Sequence, residues 1–119
     1  MTQNDLSQFR QLAKNGQISY SGHALQRMLE RGISLNIVED ILRSDSNQIL
    51  ETQSPSLTPG MEHPNERILI YDPYSCADVI VLCVILFVPL PEISVITAMY
   101  VQDEKWERVS GNPALVRKP

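Results

Sequence analysis

Hydrophobic residues repeat at helical spacing in the first part of this chain. Three stripes comprise Leu6, Phe9, Leu12 and Ala13; Ala24, Leu25, Met28 and Leu29; and Ile37, Val38, Ile41 and Leu42. Asn4, Ser21 and Ser34 precede the stripes with side chains that cap helix N-termini, and Gly16 and Gly32 follow the first two. The pattern predicts three helices, the second over residues 22–31 with its two leucines and its methionine buried.

From residue 49 onward the pattern changes to strand spacing. Segments rich in β-branched and apolar residues predict strands at 49–53, 67–71, 78–88 and 93–101, after a short extended entry at 18–20. Several proline and glycine residues make residues 54–65 a long irregular loop. This order of elements predicts an α+β fold, in which N-terminal helices pack on a C-terminal antiparallel sheet of about four strands.

The strand that contains residues 79–88 is apolar on both of its faces. Such a strand has to be covered from two sides, as in sheets that lie between two layers. Three short helices cover one side and leave part of the other bare, and a large bare apolar patch is typical of a protein interface. We therefore expect a homodimer, unless a different protein covers this surface.

The composition narrows the class of protein. With 119 residues, the chain is expected to form one domain, with a core at about 18–101 and a docked or disordered tail at 102–119. Its first twenty residues lack the apolar run of a signal peptide, and the ten residues 79–88 are far fewer than the roughly 20 of a membrane-spanning helix. Two cysteines are too few for a disulfide scaffold. We expect a soluble cytoplasmic protein that does not bind membranes.

The net charge of −4 is not that of a general nucleic-acid-binding protein, but the charges are unevenly distributed. Residues 1–43 carry five basic and four acidic groups, residues 44–107 carry two basic and ten acidic groups, and the tail from Arg108 adds three basic groups. If the protein binds phosphate, the helical half and the tail are therefore the expected sites. The acidic sheet half faces water or a basic partner.

The predicted second helix has a polar face that carries candidate chemistry. At about 100° per residue, His23, Arg27, Glu30 and Arg31 lie together, opposite the apolar stripe, with His23 in the first turn. Free backbone N–H groups in that turn favour an anion, so a histidine and two guanidinium groups can meet one phosphate. The same pattern is also typical of a solvated helix face on which glutamate pairs with arginine.

The residues of this helix also resemble a known family. The stretch SGHALQRMLERGIS at residues 21–34 is similar to the opening of the bacterial family called domain of unknown function 4258, and Thr97 matches a threonine in that family's last strand. The resemblance covers about residues 18–101. That family in turn resembles a branch of the RelE, MqsR and barnase-like group of metal-independent ribonucleases, and some of its members sit beside a zinc-finger antitoxin of the MqsA kind. The resemblance implies a RelE-like fold, a possible antitoxin partner and RNA as a possible substrate.

The ribonuclease resemblance implies roles for particular residues. Cleavage without a metal ion requires a base, an acid and a cation beside phosphorus. His23 suits the base or acid role because an imidazole can both accept and donate a proton, and Arg27 and Arg31 suit the cation role because guanidinium holds phosphate with paired donors. Thr97 is expected to orient the substrate. The candidate substrate-binding residues are Arg67 and Tyr100, although Tyr100 falls on the opposite face of a regular strand from Thr97.

Metal binding and cofactor binding are not indicated. The available ligands, His23, His63, Cys76 and Cys83, lack the paired spacing of zinc sites, and phosphate loops are absent. We expect no metal and no cofactor. The leading hypothesis is a metal-independent endoribonuclease of the toxin type. The alternative is a non-catalytic interaction module that has the same fold and binds a partner through its acidic sheet and apolar face.

Overall fold

The computed structural model describes residues 6–55, 65–87 and 89–119. The predicted cap Asn4 and most of the predicted loop at 54–65 lie outside these residues, as does residue 88 at the end of the predicted apolar strand.

The three predicted helices are confirmed. They are α1 (Leu6–Lys14), α2 (Gly22–Arg31) and α3 (Leu35–Arg43). The hydroxyl oxygens of Ser21 and Ser34 accept hydrogen bonds from the backbone N–H groups of Ala24 and Ile37, and these bonds start α2 and α3. Gly32 ends α2 in the left-handed conformation with φ of 69°, which costs glycine no steric strain. Within the described residues, no helix is long and apolar enough to span a membrane.

The sheet has five strands and is mixed, so the prediction of about four antiparallel strands is wrong in both respects. The strands are β1 (Ile18–Tyr20), β2 (Gln48–Gln53), β3 (Arg67–Tyr71), β4 (Val79–Leu86) and β5 (Glu92–Tyr100), in the spatial order β1-β5-β4-β3-β2. Neighbours among β2 to β5 are antiparallel, whereas β1 is parallel to β5. The predicted extended entry is this fifth strand, which is too short to be recognised before its pairing with β5 is known.

The helices cover one face of the sheet. Phe9 of α1, Met28 of α2 and Ile41 of α3 are almost fully buried there against β3, β4 and β5. Helix α1 therefore contributes to the main core, although it precedes the segment at 18–101 that was expected to form it. Burial of these large side chains is the main favourable term for this layer.

The tail covers much of the other face of the sheet. The prediction that part of this face stays bare is therefore wrong for the part that the tail covers. Strands β6 (Trp106–Arg108) and β7 (Leu115–Arg117) pair antiparallel with each other. Trp106 is 5% exposed and Leu115 is 1% exposed, and they pack with Leu69, Tyr71 and Ile80. The tail is a docked hairpin that forms a second, smaller core on β3 and β4.

Two arginines attach the hairpin to the sheet. Arg108 donates to both carboxylate oxygens of Asp78, and Arg117 donates to both oxygens of Glu51 at 2.7 and 2.9 Å. The pKa values of Asp78 and Glu51 lie below their usual values, mainly because of these hydrogen bonds. Asp78 also accepts a hydrogen bond from the hydroxyl of Tyr71 at 2.9 Å. The pairs are partly exposed, so they fix the position of the hairpin more than they stabilise the protein.

The packing of Trp106 yields a test of the second core. Replacing Trp106 with alanine should lower the free energy of unfolding by about 3 kcal/mol or more, because it leaves a large cavity over β3 and β4. Chemical denaturation measures this change. Val116→Ala, a control in the same hairpin at a side chain that is 44% exposed, should change the free energy by only about 0.5 kcal/mol. Equal effects of the two substitutions would contradict the docked position of the hairpin.

Candidate functional site

Helix α2 lies beside the end of β5 because β1 is short. Strand β1 pairs only with residues 93–95 of β5. Farther along, the backbone N–H of Val101 donates to the carbonyl oxygen of Asp78, on the side of β5 that faces β4. Successive residues of a strand point their backbone groups to opposite edges, so Ala98, three residues earlier, points its N–H and C=O groups to the open edge. An open strand edge exposes N–H and C=O groups without strand partners. Helix α2 packs mainly against β5, and its last residue reaches this edge.

Arg31 closes part of that edge. Its Nη1 donates to the carbonyl oxygen of Ala98 at 2.7 Å and to the Oγ1 of Thr97 at 3.1 Å. Both bonds use the same nitrogen, and guanidinium has five N–H donors, so Nε and Nη2 keep their donors. Within the described part of the chain, these two nitrogens make no hydrogen bond. Arg31 is therefore fixed in position by one nitrogen and can still bind an anion with the others.

His23 and Arg27 form a second pair one helical turn apart. The Nε of Arg27 donates to the Nε2 of His23 over 3.4 Å, a long and weak hydrogen bond between exposed side chains. Arg27 also lies 3.7 Å from a carboxylate oxygen of Glu30. The face thus holds a histidine beside an arginine, as the phosphate-binding interpretation requires, and a glutamate paired with an arginine, as on a solvated helix face.

The buried side of α2 is narrower than its apolar stripe predicted. Ala24 and Met28 are buried, but Leu25 is 44% exposed and Leu29 is 83% exposed, so the predicted burial of these two leucines is wrong. Among the strands the helix contacts chiefly β5, so only one line of residues at i and i+4 is covered. His23, Arg27 and Arg31 are exposed, as expected.

A cleft opens between the hairpin and the second face of the sheet. It has a volume of about 450 Å³ and is lined by Arg31, Gln53, Leu69, Leu82, Met99, Tyr100, Gln102, Lys105, Trp106 and Arg117. Three of these side chains are cationic, two are aromatic, two are amides and none is a carboxylate. Its size falls within the range of small-molecule sites, which is about 300 to 1,000 Å³.

The three cations of the cleft differ in how far they are neutralised. Arg117 is paired with Glu51, and its guanidinium carbon lies 4.5 Å from the centre of the Trp106 ring. Lys105 is exposed and, among the described residues, has no carboxylate within ion-pair distance. Arg31 is bound to two oxygens that carry no formal charge. The cleft therefore has an excess of positive charge in a protein of net charge −4.

The structure brings some of the predicted residues together and separates others. Thr97 is bound to Arg31, and Tyr100 lines the cleft beside Arg31 while its hydroxyl donates to the carbonyl oxygen of Gly32 at 3.4 Å. His23 lies eight residues before Arg31, or about 12 Å along the helix axis. Arg67 pairs with Gln53 in the sheet but does not line the cleft, and its Nε is buried without a hydrogen-bond partner in the described structure.

The residues on the hairpin side of the cleft were missed in the sequence. Lys105, Trp106 and Arg117 come from the tail, whose docking could not be derived from its short, mostly polar segments. One signal was available: the only tryptophan of the chain stands in this tail, and a large apolar side chain there indicates docking. Arg31 comes from the helical half and Arg117 from the tail, the two segments expected to hold any phosphate-binding groups, and both line this cleft.

Four side chains were considered as metal ligands and discounted, namely His23, His63, Cys76 and Cys83. Among the residues with described positions, no group of three or more histidine, cysteine, aspartate and glutamate side chains is arranged to hold a metal ion. Cys83 is fully buried in β4, and this burial raises its pKa to about 12. Cys76 is exposed, and His63 lies outside the described residues.

Comparison with known proteins identifies a family. The model of a family described as "Domain of unknown function (DUF4258)" matches residues 20–100. The match begins at the last residue of β1 and ends at the last residue of β5, so it contains His23, Arg27, Arg31 and Thr97 but not the hairpin. Neither the curated proteins nor the solved structures yield a match to the chain.

The two sides of α2 should respond differently to an introduced charge. Met28→Asp should unfold the protein, because the carboxylate would enter the core without a partner and the whole domain is stable by only about 5 to 15 kcal/mol. Leu29→Asp, the matched substitution at a neighbouring exposed position, should change the free energy of unfolding by about 1 kcal/mol or less. Circular dichroism and denaturant titration measure both effects. An unfolded Leu29→Asp protein would show that this leucine is buried after all.

Proposed function

The chain belongs to the DUF4258 family, and we propose that it is a metal-independent endoribonuclease that acts as a cytoplasmic toxin neutralised by an antitoxin. The observation that carries the proposal is the contact of 3.4 Å between the Nε2 of His23 and the Nε of Arg27 on an exposed helix face. It sets an imidazole, which can accept and donate a proton, beside a permanent cation, and phosphodiester cleavage uses both kinds of group.

The reaction follows from these two groups. His23 accepts the proton of the ribose 2′-hydroxyl through Nε2, and the 2′-oxygen attacks phosphorus. The bond from phosphorus to the 5′-oxygen breaks, and the leaving oxygen takes a proton from water or from the imidazolium. Arg27 turns its guanidinium from the long contact with His23 to the phosphate and stabilises its developing charge. The products carry a 2′,3′-cyclic phosphate and a 5′-hydroxyl.

Arg31 and Thr97 bind the strand on one side of the reacting phosphate. Arg31 is held by Ala98 and Thr97 through Nη1, so its other nitrogens have a defined position before any ligand binds. This arrangement lowers the conformational entropy that is lost on binding. About 12 Å of helix separates it from His23, so Arg31 binds a neighbouring phosphate and not the one that is cleaved.

The RelE-like fold is part of the same proposal. Helices that precede a mostly antiparallel sheet support it at the level of fold class. A fold does not determine an activity, so the step to ribonuclease rests on the residues of α2. The net charge of −4 does not oppose the proposal, since the cations of α2 and the cleft are local to the site.

A second candidate function has its own observation. Leu25 and Leu29 are 44% and 83% exposed and lie at i and i+4 on the same side of α2. Two exposed leucines beside a charged helix face favour a protein partner, since docked helices are recognised through such anchors. The alternative is therefore a non-catalytic interaction module. In the toxin proposal, the same leucines contact the antitoxin.

The ribonuclease proposal is tested by single substitutions. Purified protein should cleave RNA in the presence of a chelator, and His23→Ala or Arg27→Ala should each lower the rate about a hundredfold or more, because each removes a group that acts on the reacting atoms. Gel analysis measures the rate, and end-group analysis should show 2′,3′-cyclic phosphates.

Gln26→Ala is the matched control for both variants. Gln26 is exposed on the same helix and its side chain bonds only to Glu30 among the described residues, so its loss should leave cleavage unchanged. Circular dichroism establishes that each variant is folded. Cleavage that the chelator abolishes, or that persists unchanged in both His23→Ala and Arg27→Ala, would reject the mechanism and favour the interaction module.

A further inference from the structure

We propose that the cleft between the hairpin and the sheet is a nucleotide-binding site that holds one base and one phosphate of single-stranded RNA. This proposal rests on the proposed function in one respect, which is that the molecule bound is RNA. It adds a binding site about two helical turns from His23. Four of its ten lining residues, Gln102, Lys105, Trp106 and Arg117, lie outside the matched family segment.

The lining of the cleft fits an anion with a planar apolar body. Leu69, Leu82 and Met99 form apolar walls, whereas Arg31 and Lys105 supply charge that no carboxylate in the lining cancels. A purely apolar ligand would leave these cations desolvated, and a small inorganic anion would leave the apolar walls without contacts. A nucleotide has both parts, with its base and its phosphate on opposite sides of a sugar.

Arg117 and Trp106 form a stacking platform for the base. The guanidinium of Arg117 lies over the indole ring, and both carboxylate oxygens of Glu51 fix its orientation. Arg117 remains exposed toward the cleft. Unpaired RNA bases stack on guanidinium planes as well as on aromatic rings, so the base packs against the outer side of Arg117. Glu51 carries no part of the ligand contact, because it does not line the cleft.

The remaining polar groups suit the two ends of the nucleotide. Gln53 and Gln102 have amides that both donate and accept, and such amides pair with the edge of adenine in a bidentate manner. Arg31 offers the donors of Nε and Nη2, and Lys105 offers an ammonium group, for the phosphate. The phosphate thus lies toward α2, and the strand continues from there to Arg27 and His23.

Binding can be measured through the fluorescence of Trp106, which is the only tryptophan of the chain. Two ligands are titrated: adenosine monophosphate, and a short oligoadenylate with 2′-O-methyl groups, which cannot be cleaved through a 2′-hydroxyl. We expect a saturable change in fluorescence. Tighter binding of the oligonucleotide supports the cleft as a site for an RNA strand, and equal binding of both supports it as a site for a free nucleotide.

Two lysine substitutions separate the cleft from general surface charge. Lys105→Ala removes a cation from the cleft and should weaken binding about tenfold or more. Lys118→Ala removes the same charge from an exposed position beside β7 that does not line the cleft, and should change affinity by less than about twofold. No saturable signal with either ligand at millimolar concentration, or equal weakening by both substitutions, would overturn the proposal.

The outcome also separates this proposal from the ribonuclease proposal. Binding that depends on Lys105 in a protein that does not cleave RNA would support the nucleotide site and reject the ribonuclease. Cleavage that depends on His23 in a protein without Lys105-dependent binding would reject the nucleotide site and leave the ribonuclease standing.

Discussion

The structure depends on β4, a strand that has to be covered from both sides. Val79 and Val81 face the helices, and Ile80 faces the hairpin, and each of the three is fully buried. A strand of this kind is stable only between two apolar layers, because either bare face would expose large side chains to water. The chain supplies the layers from its two ends. Helices α1 to α3 form one layer, and strands β6 and β7 form the other.

The candidate site is a consequence of how unevenly these layers cover the sheet. Strand β1 covers only the first part of the β5 edge, and α2 fills the rest, with Arg31 bound to the carbonyl of Ala98. The hairpin leaves a gap beside the same edge, and Arg31 lines it. Arg31 therefore both closes the sheet edge and lines the cleft. Substituting Arg31 changes both properties together, and for this reason Lys105 is the sharper probe of the cleft.

Much of the fold could be predicted because its signals are local. Helix α2 is bounded by Ser21 and Gly32, whose roles as caps depend only on nearby backbone groups, and the contact between His23 and Arg27 follows from their spacing of four residues. What could not be predicted depends on long-range contacts. Strand β1 forms only by pairing with residues about 75 positions later. The periodicity that places Leu29 on the apolar stripe of α2 does not determine how much of that stripe the sheet buries.

The cleft was beyond sequence analysis for the same reason, since Lys105 and Arg117 reach Arg31 only when the hairpin is docked. The most direct test of the account is therefore quenching of Trp106 fluorescence by acrylamide in the intact protein. With a side chain that is 5% exposed, Trp106 should emit at short wavelength and be quenched far less than after unfolding in denaturant. Emission at the wavelength of the unfolded chain, with equally efficient quenching, would show that the hairpin does not cover β4 and that the cleft does not form.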